Sequence, residues 1–181
     1  MRNRQMNHTP DVQILTADTS DERHLHAIKV LVKEYFSWGN SEAIRLYGFN
    51  FDIDGMYNKF IEELPVYQYP DGMLYLIACD DKYIGVGGFK RLSNTICELK
   101  RMFIQQKYRG RKFGKMLLNV IIRKAREYGY EEMRLESARF MTNAACMYRK
   151  NGFQEIAVYA EAESPEEYHS IIYCMNRKLL Q

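Results

Sequence analysis

The stretch from Ile96 to Gly129 constrains the fold more than any other part of the chain. Ile96 to Ile104 is a mostly apolar run suited to a buried strand. Gln105 to Lys115 follows, with Lys107, Arg109, Arg111, Lys112 and Lys115 packed around Gly110 and Gly114. The residues after it predict an amphipathic helix. Phe113, Leu117, Val120, Ile121, Ala125 and Tyr128 share one stripe, while Lys115, Asn119, Arg123, Lys124 and Arg126 face away. Gly129 stands where a left-handed C-terminal cap belongs. A strand, a tight basic turn and a helix in direct succession require a sheet with that helix folded onto one face.

The flanking patterns extend the sheet. Val12 to Leu15 predicts a short strand, and Ser20 or Asp21 can cap a helix carrying Leu25, Ile28, Val32 and Tyr35 that ends near Gly39. Asn40 to Asn50 holds at most another turn or two. Asp54 is the expected cap of a helix with Met56, Phe60, Ile61 and Leu64, stopped by Pro65. Met73 to Cys79 and Tyr83 to Arg91 predict a hairpin about Asp80-Asp81. Gly85, Gly87 and Gly88 inside its second strand predict bulging or close approach of another backbone. Glu132 to Ser137 reads as a strand, and Thr142 or Asn143 as the cap of a short helix reaching Asn151 and closed by Gly152. Phe153 to Tyr159 and Tyr168 to Lys178 read as two final strands. The expected fold is a mixed α/β sheet, antiparallel at first.

Composition excludes several alternatives. With 181 residues, 46% hydrophobic and 27% charged, the chain fits one globular domain, not a disordered one. Residues 1–10 are polar and basic, without an apolar leader core, and are expected to be a flexible tail ahead of a single domain over 11–181. No apolar run approaches the ~18 residues of a membrane-spanning helix. Cys79, Cys97, Cys146 and Cys174 form no C-x-x-C pair, which points away from zinc or a disulfide framework and toward a reducing cytoplasm. Cys146 beside Met147 is expected to be a packing residue. His24 and His26 are expected on the surface, His169 on the last strand, and no metal is expected. The acidic residues Glu161 to Glu167 are expected in a solvated loop, or as a rim attracting a cationic acceptor.

The net charge of +3 is too weak by itself to imply nucleic acid, but its concentration is informative. The first amides of a helix lack internal partners, and the helix dipole adds partial positive charge there. Glycines let a ligand approach that backbone. The turn at 107–115 is therefore an expected anion seat, most naturally for a phosphate or diphosphate. A Walker loop is excluded because Met116 stands where Ser or Thr is needed, and a dinucleotide fingerprint fails for want of its third glycine.

Arg109-x-x-Lys112-x-Gly114 resembles the [Q/R]-x-x-G-x-[G/A] signature of the GNAT superfamily of acyl-CoA N-acyltransferases. Glu98-Leu99-Lys100-Arg101-Met102-Phe103-Ile104 resembles the fourth-strand segment before that signature, closest to a bacterial branch with E-L-K-R-[LM]-[YF]-V. Ala144 to Phe153 resembles the later A-x-x-x-Y-x-x-x-G-F segment. The likeness covers about Gly72 to the C-terminus, and Lys112 replaces the middle glycine of the signature. A helical backbone at that position would suit any residue, so the replacement is expected to be tolerated. Met141 replaces an Asn found in many relatives.

The resemblance implies a mostly antiparallel sheet of six or seven strands, with helices on both faces and a splay between the fourth and fifth strands. It implies that acetyl-CoA lays its pantetheine arm along the backbone of Met102, Phe103 and Ile104. The diphosphate would then sit on the turn formed by Arg109, Gly110, Arg111, Lys112, Phe113, Gly114 and Lys115. Tyr148 would be the general acid that protonates the departing thiolate, or else a core tyrosine. Glu98 would be the base for the attacking amine; alternatively it pairs with Lys100 or Arg101, or only attracts the substrate ammonium. The expected partners are acetyl-CoA and an amine whose identity stays open, with no membrane. Oligomeric state stays open too, a homodimer included. A non-catalytic acyl-CoA-binding regulatory module is the alternative. A nucleic-acid-binding domain is the weaker one, since the basic cluster is compact and not spread over a face.

Overall fold

The computed structural model describes residues 10–179. The expected tail therefore lies outside the described residues, Pro10 apart. The elements run β1 (Val12–Thr16), α1 (Glu22–Tyr47), α2 (Ile53–Glu62), β2 (Gly72–Cys79), β3 (Lys82–Arg91), β4 (Ile96–Ile104), α3 (Phe113–Glu127), β5 (Glu132–Ala138), α4 (Thr142–Lys150), β6 (Gln154–Ile156) and β7 (Ile172–Lys178). They build one seven-stranded sheet in the order β1-β2-β3-β4-β5-β7-β6. Every neighbouring pair is antiparallel except β4 and β5, which run parallel.

The two-residue alternation of β2 divides the core. Leu74 and Leu76 face α1 and α2, where Ile28, Leu31, Val32 and Phe60 are buried. Tyr75 and Ile77 face α3, whose Leu117, Leu118 and Ile121 have no solvent exposure. Helices thus cover both faces, as the resemblance implies. The turn at Asp80 and Asp81 has φ of 49° and 62°, the mirror-image geometry that matches the twist of a hairpin.

Several boundaries differ from expectation. The first helix does not end at Gly39; it runs on to Tyr47 and stops at Gly48, where φ is 75°. An interior glycine costs only about 1 kcal/mol; Phe36 before it packs in the core against the sheet, and Ala43 after it is buried. The cap of α2 is Asp52, whose side chain accepts from the Gly55 amide at 2.9 Å, not Asp54. Met141 precedes α4 without a side-chain cap bond, so Thr142 and Asn143 lie inside the helix. Near the C-terminus, β6 is only three residues long, and Glu166–Ile171 is a 3₁₀ helix. His169 lies on that helix and not on the last strand. Ile172 to Met175 of β7 are all buried, so no exposed face marks where the strand starts.

Two irregularities of β4 shape the site. Between the Val86–Phe103 and Gly88–Lys100 pairs, β4 carries one more residue than β3, and Arg101 has φ of 59°. Such a bulge bends its strand. Before it, β4 has already left β5. The two pair only through Ile96–Glu132, Cys97–Met133 and Glu98–Arg134, although both continue further. β3 makes room for the bend with glycine, since a Cβ at Gly85 would stand 2.6 Å from the Phe103 carbonyl oxygen.

Candidate active site

A cleft of about 510 Å³ opens where β4 and β5 part. Met102, Phe103 and Ile104 form one wall. Tyr108, Arg109, Gly110, Lys112, Phe113, Gly114 and Lys115 form the next, and Met141 to Ala144, Met147 and Tyr148 of the α4 region face them. Trp38 of α1 and Phe140 close one side, edge to face with centroids 5.7 Å apart. The expected site residues are therefore brought together, with two exceptions. Arg111 and Glu98 do not line the cleft.

The turn into α3 is shaped for an anion. Gly110 has φ of 79° and Lys112 has φ of 66°. Lys112 does not have the helical backbone expected at this position; it sits in the left-handed region that glycine adopts without strain. No side chain caps α3, and the first intrahelical bond is from the Met116 amide to the Lys112 carbonyl at 3.0 Å. The amides of Phe113, Gly114 and Lys115 thus have no helical acceptor and stand at the cleft. A Cβ at Gly114 would lie 3.5 Å from the Met147 sulfur, so glycine there keeps the passage between α3 and α4 open.

The basic residues divide by role. Lys112 and Lys115 border the cleft. Lys107 and Arg111 lie over the Tyr108 ring, at 5.1 and 5.8 Å from its centre. Arg109 stacks 4.2 Å above the Trp38 ring, and its Nε donates to the Ile104 carbonyl at 2.8 Å. Burial lowers the Arg109 pKa from its ordinary value.

Tyr148 is buried among apolar neighbours, its ring tilted on Phe153 at 5.7 Å, and it borders the cleft. Burial holds its hydroxyl well above the ordinary tyrosine pKa, so the proton stays on at neutral pH. Glu98 is completely buried in β4. Its Oε1 accepts from the Tyr159 hydroxyl at 2.6 Å and lies 3.4 Å from Lys100 Nζ, while Oε2 is buried with no hydrogen-bond partner among the described residues.

Two expectations fail here. Cys146 is exposed on α4 and does not pack the core, because the buried stripe of this short helix falls on Ala145 and Tyr148. The segment 161–167 is not uniformly solvated either. Glu163 turns inward to meet Lys90 at 2.7 Å, Lys100 at 2.9 Å and Arg101 at 3.5 Å. A lone Glu in an acidic stretch gives no signal of this. The signal lay in β4, where Lys100 and Arg101 occupy a strand buried on both faces and so require a counter-charge. Trp38, Phe140 and Met147 line the cleft as well, and no motif in the sequence singles them out.

Comparison with known proteins adds the following. Residues 70–155 match the family model described as the acetyltransferase (GNAT) domain. An uncharacterized N-acetyltransferase of Dictyostelium discoideum is 39% identical over 64 residues, 35% of this chain and 30% of that protein. The uncharacterized N-acetyltransferase YjgM of Escherichia coli is 30% identical over 94 residues, 50% of this chain and 56% of that protein. The chain thus spans less than two thirds of the length of either relative. The crystal structure of the PaiA N-acetyltransferase of Thermoplasma acidophilum in complex with coenzyme A has the same fold, with a TM-score of 0.70. It is 21% identical, and the match covers 93% of this chain and 99% of that one.

Proposed function

We propose that this chain, which carries an acetyltransferase (GNAT) domain over residues 70–155, is an N-acetyltransferase that moves an acetyl group from acetyl-CoA to a primary amine. One observation carries the reading. The uncapped start of α3, the end of β4 that β5 does not pair and the Tyr148 ring border a single cleft. The domain is read as larger than the matched segment, a reading supported among the described residues by α1 and α2 packing on the sheet and by β7 pairing within it. The thiols fit a cytoplasmic protein: Cys146 is free and exposed, and Cys79, Cys97 and Cys174 are free and buried. Among the described residues, no helix is long and apolar enough to cross a membrane.

The diphosphate of acetyl-CoA sits on the amides of Phe113, Gly114 and Lys115, with Arg109, Lys112 and Lys115 supplying charge and Gly110 the turn. Arg111 adds to the local potential from outside the cleft. The pantetheine arm takes the place β5 leaves beside Met102, Phe103 and Ile104, pairing with backbone as an added strand would. That path brings the thioester to Tyr148.

The amine nitrogen attacks the thioester carbonyl carbon with its lone pair, and the tetrahedral intermediate expels the thiolate as the C–S bond breaks. Tyr148 donates its proton to the sulfur. The amine must lose its own proton, and Glu98 receives it, Oε2 being a buried acceptor with no hydrogen-bond partner among the described residues. Glu98 lies off the cleft, so the acceptor must reach it from the α1 and α2 side of β4.

A thiol-release assay with acetyl-CoA across an amine library tests the reading. Amine-dependent release of coenzyme A is expected. Failure to bind acetyl-CoA, or loss of binding to none of the Arg109, Lys112 and Lys115 variants, would overturn it.

A further inference from the structure

Beside the cleft lies a buried cluster that the transfer of an acetyl group does not by itself require. Lys90 on β3 and Lys100 and Arg101 on β4 converge on the carboxylate of Glu163. Glu163 belongs to the irregular segment 157–165, which joins β6 to the 3₁₀ helix and contributes no rung to the sheet. Polar side chains hold this segment down. The Tyr159 hydroxyl donates to Glu98, and the Ser164 hydroxyl donates to Glu136 at 2.6 Å. Burial alone would raise the Glu163 pKa, but Lys100, Arg101 and Lys90 outweigh it and hold the carboxyl well below the ordinary range.

The segment covers two seats of opposite character that share Lys100. At Glu98 it places a donor, the Tyr159 hydroxyl. Among the three cations it places an acceptor, the Glu163 carboxylate. An amino acid has the same two poles, an ammonium that donates and a carboxylate that accepts. The cluster is also incompletely satisfied. Among the described residues, Glu98 Oε2, Arg101 Nε and the Tyr67 hydroxyl are buried without hydrogen-bond partners, and buried polar atoms left unpaired are costly. Among the described residues, Glu163 is the only carboxylate within ion-pair distance of Arg101. The cluster adjoins the cleft, since Arg101 precedes the cleft-wall residue Phe103 by two positions in β4.

We propose that the acceptor is a free amino acid, with its carboxylate taking the place of Glu163 among Lys90, Lys100 and Arg101 and its amine presented to Glu98. The proposal rests on the acetyltransferase reading and names the substrate class of that site. Segment 157–165 then acts as an internal stand-in that the acceptor displaces. Displacement exposes the unpaired atoms to the ligand and keeps Arg101 facing an anion throughout. No step beyond the acetyl transfer described above is added.

Matched acceptors decide the matter. The full chain, saturated with acetyl-CoA, is given each proteinogenic amino acid, its carboxamide and its decarboxylated amine. Binding of the N-acetyl amino acids to the coenzyme A complex is titrated separately by calorimetry. The free amino acids are expected to exceed both analogues in kcat/KM by at least ~10-fold, the range of a charge-assisted bond. Glu163→Gln should lower KM for amino acids by roughly that factor, leaving KM for acetyl-CoA unchanged. Lys90→Met should raise KM for amino acids but not for decarboxylated amines. Transfer to decarboxylated amines that equals transfer to amino acids overturns this proposal and leaves the acetyltransferase reading standing. Failure to bind acetyl-CoA sinks that reading instead. If no acceptor turns over, the titration decides, and no bound N-acetyl amino acid overturns the proposal.

Discussion

Lys112 and Tyr148 both line the cleft and are held there at opposite costs. Lys112 holds a left-handed backbone with φ of 66° and gains no side-chain cap bond for it. A Cβ in that region costs about 1 kcal/mol or somewhat more. Lys112→Gly is therefore expected to raise the unfolding free energy by about 1 kcal/mol, seen as a higher urea midpoint with an unchanged slope. A lower midpoint would mean that the lysine side chain contributes more than its backbone loses. Tyr148 is the converse, a candidate acid on which burial holds the proton. Tyr148→Phe is expected to lower kcat by about 100-fold with KM for acetyl-CoA preserved, and equal turnover would remove it from the acid role. The sequence carried Tyr148 through its spacing to Gly152-Phe153, whereas the backbone of Lys112 was not legible, because no pattern distinguishes a left-handed lysine from a helical one.

At the scale of elements, β4 and α3 were the most legible parts. Their boundaries, Ile96–Ile104 and the start at Phe113, follow from an apolar run and a helical stripe that tertiary packing reinforces. What the sequence hid was governed by contacts between elements. Gly39 reads as a stop, yet the helix continues past it with Ala43 buried. Tyr168 reads as the start of a strand, yet it packs on Phe49 and Phe51 at 5.3 and 4.8 Å from a 3₁₀ helix instead. Glycine in β3 was read as close approach, and Gly88 shows why: an added Cβ would collide with the Met73 carbonyl oxygen and the Leu74 backbone of β2. Those atoms belong to a sheet ladder and cannot yield as a side chain can. Gly88→Ala should destabilise the fold by about 1–3 kcal/mol, measured by urea unfolding, while the same change at open Gly39 should not.

The whole molecule stores an acid-sensitive link in the cluster under segment 157–165. The Glu163 carboxyl is held below its unfolded value of 4.5, so its stabilisation is fully present above that value. As pH falls below it, the unfolded chain takes up the proton first and the contribution fades. The stability difference between the parent chain and Glu163→Gln is therefore expected to be largest near pH 7. It should shrink between about pH 5 and pH 3, as followed by unfolding midpoints across that range. A difference independent of pH would mean that Glu163 acts there as a neutral packing group.

The three rungs between β4 and β5 have a mechanical consequence. Strands β1 to β4 form one blade and β5, β7 and β6 another, and the blades are stitched together only at one end. A cosubstrate lying in the open end would complete the seam and stiffen the whole protein. Amides of Leu99 to Ile104 should then exchange with deuterium more slowly once coenzyme A is added, and cleavage by proteases should slow in step. Cosubstrate supply would in this way set how long the protein survives as well as how fast it works.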